Sequence, residues 1–313
     1  MKKETSELMA EVIGIDHGNS QIKTISAVFP AGVMPLSTQL AFHDNVLEFR
    51  GKLYKIGSKK MEVQKSKTES LEFYLLTLAA TAMEMKTREK REAKVILAVG
   101  LPPARYGVEK NAFREYLMQN DEVSFTYEEE EFRVKFVKVL VYPQGYPAVI
   151  DRLAMFGSRL LIADVGSWTV DFVPIVNRRP DEAKVISLPH GMITLYRAIN
   201  AECFRRFGEG LDEEEITKYV TSGKTLLPEE FQQVMDAEIK KFIRMIIGTI
   251  REEGYNLMTT SITFVGGGAT LMKNFGNNSL FHFSFVTDVK ANAIGYEVLA
   301  KMALKGGDGH EPK

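Results

Sequence analysis

Two short runs carry the residue types that grip phosphate: Asp16-His17-Gly18-Asn19-Ser20-Gln21-Ile22-Lys23 and Asp164-Val165-Gly166-Ser167-Trp168-Thr169-Val170-Asp171. In each, an apolar run ends in an aspartate, one residue intervenes, and a glycine leads through polar residues into an alternating stretch. Gly18 lets the backbone come within hydrogen-bonding distance of an anion, and the neighbouring N–H groups with the Asn19 and Ser20 side chains form a nest for phosphate oxygens. Gly166 and Ser167 repeat that chemistry. Asp16 would hold a metal ion through water. One such run alone is as readily an ordinary hairpin whose Asp and Asn shape the turn. The recurrence tips the balance, because the two aspartates are separated by close to half of the 313 residues, the spacing of an internally duplicated α/β unit. Two such turns facing across a cleft can hold one phosphate chain from both sides.

Two further stretches belong with them. In Tyr142-Pro143-Gln144-Gly145-Tyr146-Pro147-Ala148, Gln144 falls just ahead of a predicted helix in the linker between the repeat halves, where an uncharged donor and acceptor can orient a water against a phosphate. A polar turn residue is the plainer reading of it. The strand over residues 261–265 feeds Gly266-Gly267-Gly268, a turn that lets backbone approach a ligand. It is not G-x-G-x-x-G and no Walker A sequence is present, so neither a Rossmann nor a P-loop assignment holds.

The elements that must position these residues follow from periodicity. The stretch 12–23 reads as a β-hairpin, and 46–49 with 53–56 as a second across Arg50-Gly51-Lys52, set in an insertion. Leu71, Leu75, Leu78, Ala79 and Ala82 recur at helical spacing over 69–85, and the mixed-charge run 86–94 is its solvated end. The apolar run 95–101, closed by Pro102-Pro103, is a buried central strand, and ligand clefts often lie at such a carboxyl end. A helix over 109–118 precedes strands at 123–127 and 132–141. The four glutamates between them repel one another and read as a solvated loop tip rather than a metal site. Helices are expected from 148 to 155, 194 to 207, 211 to 219 and 293 to 304. The longest runs from Pro228 to Gly254, with one broad apolar face marked by Phe231, Val234, Met235, Ile239, Phe242, Ile243, Ile246 and Ile250. Small residues in the closing helix permit close packing near the linker. The expected division is 1–150, with a small inserted subdomain over 30–95, and 151–313, with a helical insertion over 190–255.

Bulk composition bounds the function. With 45% hydrophobic and 26% charged residues the chain can bury a large core. A net charge of −1 lacks the cation surplus that neutralises many phosphates, so direct, strong nucleic-acid binding is not expected. The single cysteine, Cys203, cannot form an intrachain disulfide, which favours a reducing cytoplasm, and no zinc-ligand spacing occurs. The polar N-terminus, Met1 to Glu7, lacks a secretory apolar core, the longest apolar stretch is too short to span a bilayer, and the Gly-rich end from Lys305 reads as a frayed tail.

In order, residues 13–23, 142–148, 162–171, 264–270 and 292–296 resemble the five nucleotide-site elements of the actin, DnaK-type chaperone and sugar-kinase superfamily. Chain length, Leu101-Pro102, the Pro143 to Ala148 linker and the Gly266 to Ala269 turn look most like the ParM/StbA plasmid-segregation actins. The resemblance covers nearly the whole chain. It implies an actin-like α/β fold of two duplicated ribonuclease-H-like domains, hinged at the linker helices, with Mg-ATP clamped between them. Carried over by position, it gives Asp16 and Asp164 hydrated Mg²⁺, and Gly18, Asn19, Ser20, Lys23, Gly166 and Ser167 the phosphates. Gly266, Gly267 and Gly268 would border the ribose and α-phosphate. Trp168 joins the nucleotide contacts, although it stands where the family commonly has a small hydroxyl residue or glycine. Gln144 falls where actin carries a glutamine and ParM an acidic residue that positions the hydrolytic water. An amide cannot accept the water's proton, so Asp164 would share the task. Glu214, Glu215 and Lys218 are candidates for the adenine side.

What the resemblance implies is an ATPase, with GTP as a possible substitute, whose nucleotide state controls self-assembly into filaments, tied to plasmid DNA through a DNA-bound adaptor. A non-polymerising metabolite kinase or polyphosphate phosphatase of the same fold is the alternative, though no acid/base residue beside a sugar-sized pocket can be singled out. A chaperone ATPase is disfavoured because no residues remain for a peptide-binding domain.

Overall fold

A computed structural model describes residues 10–38, 42–58, 66–276 and 281–306. The stretch Met1–Glu7 and the tail beyond Gly306 lie outside the described residues. The chain divides into two compact units, Met1–Pro147 with Asn292–Lys313, and Ala148–Ala291.

The first unit opens with β1 (Glu11–His17), β2 (Gln21–Lys23), β3 (Val28–Pro30), β4 (Val33–Leu36), β5 (Val46–Phe49) and β6 (Lys52–Ile56), followed by α1 (Glu72–Thr87), β7 (Glu92–Leu101), α2 (Pro103–Leu117), β8 (Glu122–Tyr127) and β9 (Glu130–Pro143). The strands form one nine-stranded sheet in the order β3-β2-β1-β7-β9-β8-β5-β6-β4. β1, β7 and β9 are adjacent and parallel, so their carboxyl ends share one edge. β1 and β7 read as nearly continuous apolar runs because helices cover both faces, whereas β9 alternates over 132–138 and becomes wholly buried only from Val139. Strands β4 to β6, expected as part of a separate insertion, instead continue the same sheet through the β5–β8 pairing, Leu47 opposite Tyr127.

The acidic run is a loop tip in part. Only Glu128 and Glu129 form the turn, both at positive φ, while Glu130 begins β9. Lys86 lies 2.8 Å from Glu128 and 3.0 Å from Glu130, so a cation from the last turn of α1 relieves the repulsion that was expected to drive the run into solvent. The charged end of α1 is tied down likewise: Arg88 reaches Glu11, Glu84 and Glu297 at 3.0 to 3.2 Å.

The helix expected through Met155 is a 3₁₀ helix, Pro147–Met155. The second unit then comprises β10 (Arg159–Val165), β11 (Val170–Val176), β12 (Arg179–Pro180), β13 (Ile186–Leu188), α3 (Met192–Phe207), α4 (Glu213–Ser222), α5 (Glu229–Glu252), β14 (Ser261–Val265), α6 (Ala269–Phe275) and β15 (Phe283–Phe285). Its sheet runs β12-β11-β10-β14-β15, with β13 on β11. Val234, Met235, Ile239, Phe242, Ile246 and Ile250 of α5 are buried, as the apolar stripe requires.

The last helix, α7 (Ala291–Lys305), was expected in the second half, yet from Asn292 onward it groups with the first unit. Glycines make this possible. A Cβ on Gly14 would lie 2.1 Å from the Ala293 carbonyl oxygen, one on Gly100 1.8 Å from the Tyr296 hydroxyl, and one on Gly295 2.0 Å from the Pro147 carbonyl oxygen. α7 therefore seals the β1–β7–β9 face through Tyr296 and Ala300, while α1 and α2 pack the opposite one through Leu76, Leu78 and Phe113.

Candidate functional site

In the first unit, three strand ends assemble a polar cluster. β1 delivers Asp16 to its carboxyl end, where the antiparallel register sets it opposite Lys23. The Lys23 ammonium lies 3.2 Å from Asp16 Oδ2. Gln144, just past β9, donates from Nε2 to Asp16 Oδ1 at 2.8 Å. Asp16 is only 3% exposed. Burial alone would raise its pKa, but the charges of Lys23 and Lys67 and the hydrogen bonds from Lys23 and Gln144 outweigh it and hold the carboxyl below its ordinary value. Asp16 is therefore an anion at neutral pH.

The turn between β1 and β2 is tight, with Gly18 N–H donating to the Asp16 carbonyl at 3.1 Å. A Cβ on Gly18 would stand 2.6 Å from the Gln21 carbonyl oxygen, so glycine is required by the turn itself as well as by any anion. Behind it, His17 is fully buried, 2.8 Å from Thr77 Oγ1 and edge-on to Phe73 and Phe113. Burial pushes its pKa down to about 3, so it is neutral and part of the core.

Lys67 belongs to this cluster, and sequence reasoning missed it. Its ammonium is buried, hydrogen-bonds the Gly100 carbonyl at 3.2 Å and lies 5.8 and 5.7 Å from the ring centres of Phe73 and Phe113. Neither periodicity nor a motif marks it among the polar residues before α1.

In the second unit, β10 and β11 reproduce the first hairpin's register, Asp164 opposite Asp171 where Asp16 faces Lys23. Asp164 is buried at the carboxyl end of β10. Asp171 is 5% exposed; burial raises its pKa despite hydrogen bonds from Ser187 and Thr169, and its Oδ1 has no hydrogen-bond partner among the described residues. The second hairpin thus replaces the ion pair of the first by two facing carboxyl groups. Asp171 stands in the quoted motif at the position that Lys23 holds in the first, and the strand pair shows it buried.

The turn 166–169 is fixed from below by α3. Gly191 N–H donates to the Trp168 carbonyl at 3.0 Å, Met192 N–H to Gly166 at 3.0 Å and Ile193 N–H to Ser167 at 2.9 Å. The Trp168 ring meets the Arg197 guanidinium at 5.6 Å. The glycines after β14 play different parts. Gly266 has φ +79°, and a Cβ there would lie 2.4 Å from Asp164 Oδ1; one on Gly268 would lie 2.2 Å from Val165 Cγ1; one on Gly267 meets nothing within 4 Å among the described residues. Two glycines close the turn onto β10, and the third leaves its backbone approachable. Of the adenine-side candidates, Glu214 and Lys218 are exposed, and Glu215 accepts from the Asp212 N–H as the capping-box partner of α4.

Among the described residues no group of three or more His, Cys, Asp or Glu could hold a metal on its own. The donor set around Asp16 fits Mg²⁺, which keeps several waters and takes one or two carboxylates plus substrate phosphates. Both Asp16 oxygens already accept hydrogen bonds from Lys23 and Gln144, so the carboxylate suits contact with a hydrated ion. When bound, the ion would neutralise phosphate charge.

Residues 14–146 match a family model described as the actin-like proteins N-terminal domain. The archaeal actin homologue Ta0583 superposes with TM-score 0.77 at 19% identity, over 94% of this chain and all of that one, and its ADP complex matches at 0.73. This is the actin-like fold. Bacillus thuringiensis ParM, solved with ATP, shares it with TM-score 0.69 at 12% identity over 94% of this chain and 98% of its own. The Alp12 filament structure does so with TM-score 0.68 at 17% identity, over 94% and 98%. Comparison with curated protein sequences finds no match. Among the described residues no helix is long and apolar enough to cross a membrane. Within the matched residues 14–146 lie Asp16, Lys23, Lys67 and Gln144.

Proposed function

We propose that this actin-like chain is a nucleotide-dependent, filament-forming ATPase whose Asp16 hairpin grips a Mg-nucleotide, and that it moves plasmid DNA through a DNA-bound adaptor. The observation that carries the nucleotide reading is the cluster at the carboxyl ends of β1, β7 and β9, where an aspartate at a glycine turn is flanked by Lys23 and by the Gln144 amide. Ligands of open α/β sheets bind outside such strand ends. Similarity in fold to an ATP-bound ParM and to the Alp12 filament supports nucleotide binding and self-assembly. Adaptor coupling fits a near-neutral chain, whose net charge of −1 is ill suited to gripping DNA directly.

Light scattering of the purified chain with Mg-ATP, Mg-GTP or no nucleotide, followed by electron microscopy, tests this. A nucleotide-dependent rise with filaments on the grid is expected. No rise at high concentration, together with transfer of phosphate to a small molecule, would establish a kinase instead.

In this reading Gln144 spends its amide nitrogen on Asp16, which leaves its oxygen to accept a hydrogen bond from the attacking water. The amide orients that water and takes no proton. Replacing Gln144 by Ala should slow hydrolysis on the order of 100-fold, the cost of misplacing a reactant by about 1 Å, while ATP binding and assembly persist. Steady-state phosphate release with a parallel sedimentation assay reads both, and unchanged turnover removes Gln144 from the mechanism.

A further inference from the structure

Lys67 is 7% exposed, yet no ion pair within 4.0 Å is made to it among the described residues. Among the described residues its one hydrogen bond goes to the Gly100 carbonyl, whereas an ammonium has three donors. The two carboxylates whose charges it feels are engaged elsewhere: Asp16 with Lys23 and Gln144, and Glu109 with Arg105. The Phe73 and Phe113 rings add modest cation–π attraction at nearly 6 Å. Burying a cation with so little compensation is costly, and such arrangements persist where a ligand supplies the missing charge. Its position is also specific. Gly100 closes β7 one residue before its end, beside β1, whose end carries Asp16, and β9, whose end leads to Gln144.

We infer that Lys67 is the terminal-phosphate contact of the first unit, the group that separates a nucleoside triphosphate from a diphosphate. The inference rests on the nucleotide reading above and deepens it. Lys23 sits on β2 and already pairs with Asp16. Lys67 has no such partner among the described residues, so a doubly charged terminal phosphate at the strand ends gives its ammonium the acceptors it lacks, through charge-assisted bonds. The loss of that phosphate on hydrolysis returns Lys67 to its uncompensated state. Because Lys67 lies in the segment leading into α1, the identity of the nucleotide is thereby felt by α1.

The test is nucleotide selectivity in Lys67→Met, Lys67→Gln and Lys67→Arg. Isothermal titration with Mg-ATP and Mg-ADP should show ATP affinity falling about tenfold or more in the Met and Gln variants, ADP affinity changing less than about twofold, and Arg retaining the preference for ATP. Without nucleotide, the Met variant should melt no lower than the parent chain, since it removes a charge that burial disfavours. Equal loss of ATP and ADP affinity, or a lower melting point with selectivity intact, would give Lys67 a purely structural role and overturn the inference. Lys67→Gln keeps a donor for the Gly100 carbonyl, so it decides the matter should the Met variant fail to fold. Should the parent chain bind neither nucleotide, the nucleotide reading falls and takes this inference with it. Should the parent bind both while the variants keep its ATP preference, the inference alone falls.

Discussion

Alanine at position 16 should weaken Mg-ATP binding by roughly 10- to 100-fold, the usual cost of losing a group that orients a metal's surroundings. Asp16 is buried, ionised and hydrogen-bonded on both oxygens, so its removal deletes the negative charge facing a hydrated cation and strands the Lys23 ammonium and the Gln144 amide without their acceptor. The two losses act in opposite directions on phosphate. An unpaired Lys23 attracts an anion more strongly, whereas the metal that bridges the phosphates is held less well. Titration in Mg²⁺ and again in EDTA separates them. The variant should lose affinity in Mg²⁺ and lose little or none in EDTA. Undiminished affinity in Mg²⁺ would remove Asp16 from the metal's surroundings.

The second large effect concerns stability. Gly14→Ala would place a Cβ 2.1 Å from the Ala293 carbonyl oxygen and 3.1 Å from its carbon, a clash with helix backbone that no rotamer relieves. Moving α7 away would break the Gly145 N–H to Asn292 Oδ1 bond, pull Glu297 from Arg88 and open the face sealed by Tyr296 and Ala300. Overpacking of this kind costs about 3 kcal/mol, at the upper end for inserting a methyl group into a close-packed core. Urea unfolding followed by circular dichroism should show a lower midpoint with unchanged slope. Gly107→Ala is the control, since nothing lies within 4 Å of the new atom in an exposed helical position, and it should stabilise by about 0.5–1 kcal/mol. A Gly14→Ala chain as stable as its parent would mean that α7 does not lie against β1.

What could be read from the residues alone was whatever local pattern determines. The apolar run ending in Asp16, the polar turn and the short return strand announce β1 and β2, and the repeat at Asp164 announces β10 and β11. The stripe of α5 shows its buried face by spacing. What escaped depends on partners distant in sequence. The pairing of Leu47 with Tyr127 makes the supposed insertion part of the main sheet, and no neighbour of either residue reports it. Glu128 and Glu130 look mutually repulsive until Lys86 is brought beside them. Lys67 reads as one more surface lysine, because its environment is built by Phe73, Gly100 and Phe113, from three other elements. Asp171 stood in plain view, but its burial and its facing position opposite Asp164 are properties of the strand pair. Of the site, then, the residues on the turns themselves were legible, and those brought to the turns by long-range packing were not.

The discontinuity of the first unit has a temporal side. Residues 148–291 are threaded into it as a loop would be, and where the chain leaves and returns, Gly145 and Asn292 are joined by a 3.0 Å hydrogen bond. A ribosome must therefore complete all of the inserted unit before it makes the helix that covers β1 and β7. During that interval Val12, Ile96, Ala98 and Leu140 lack their cover, so the first unit cannot complete its folding until the inserted unit has been made.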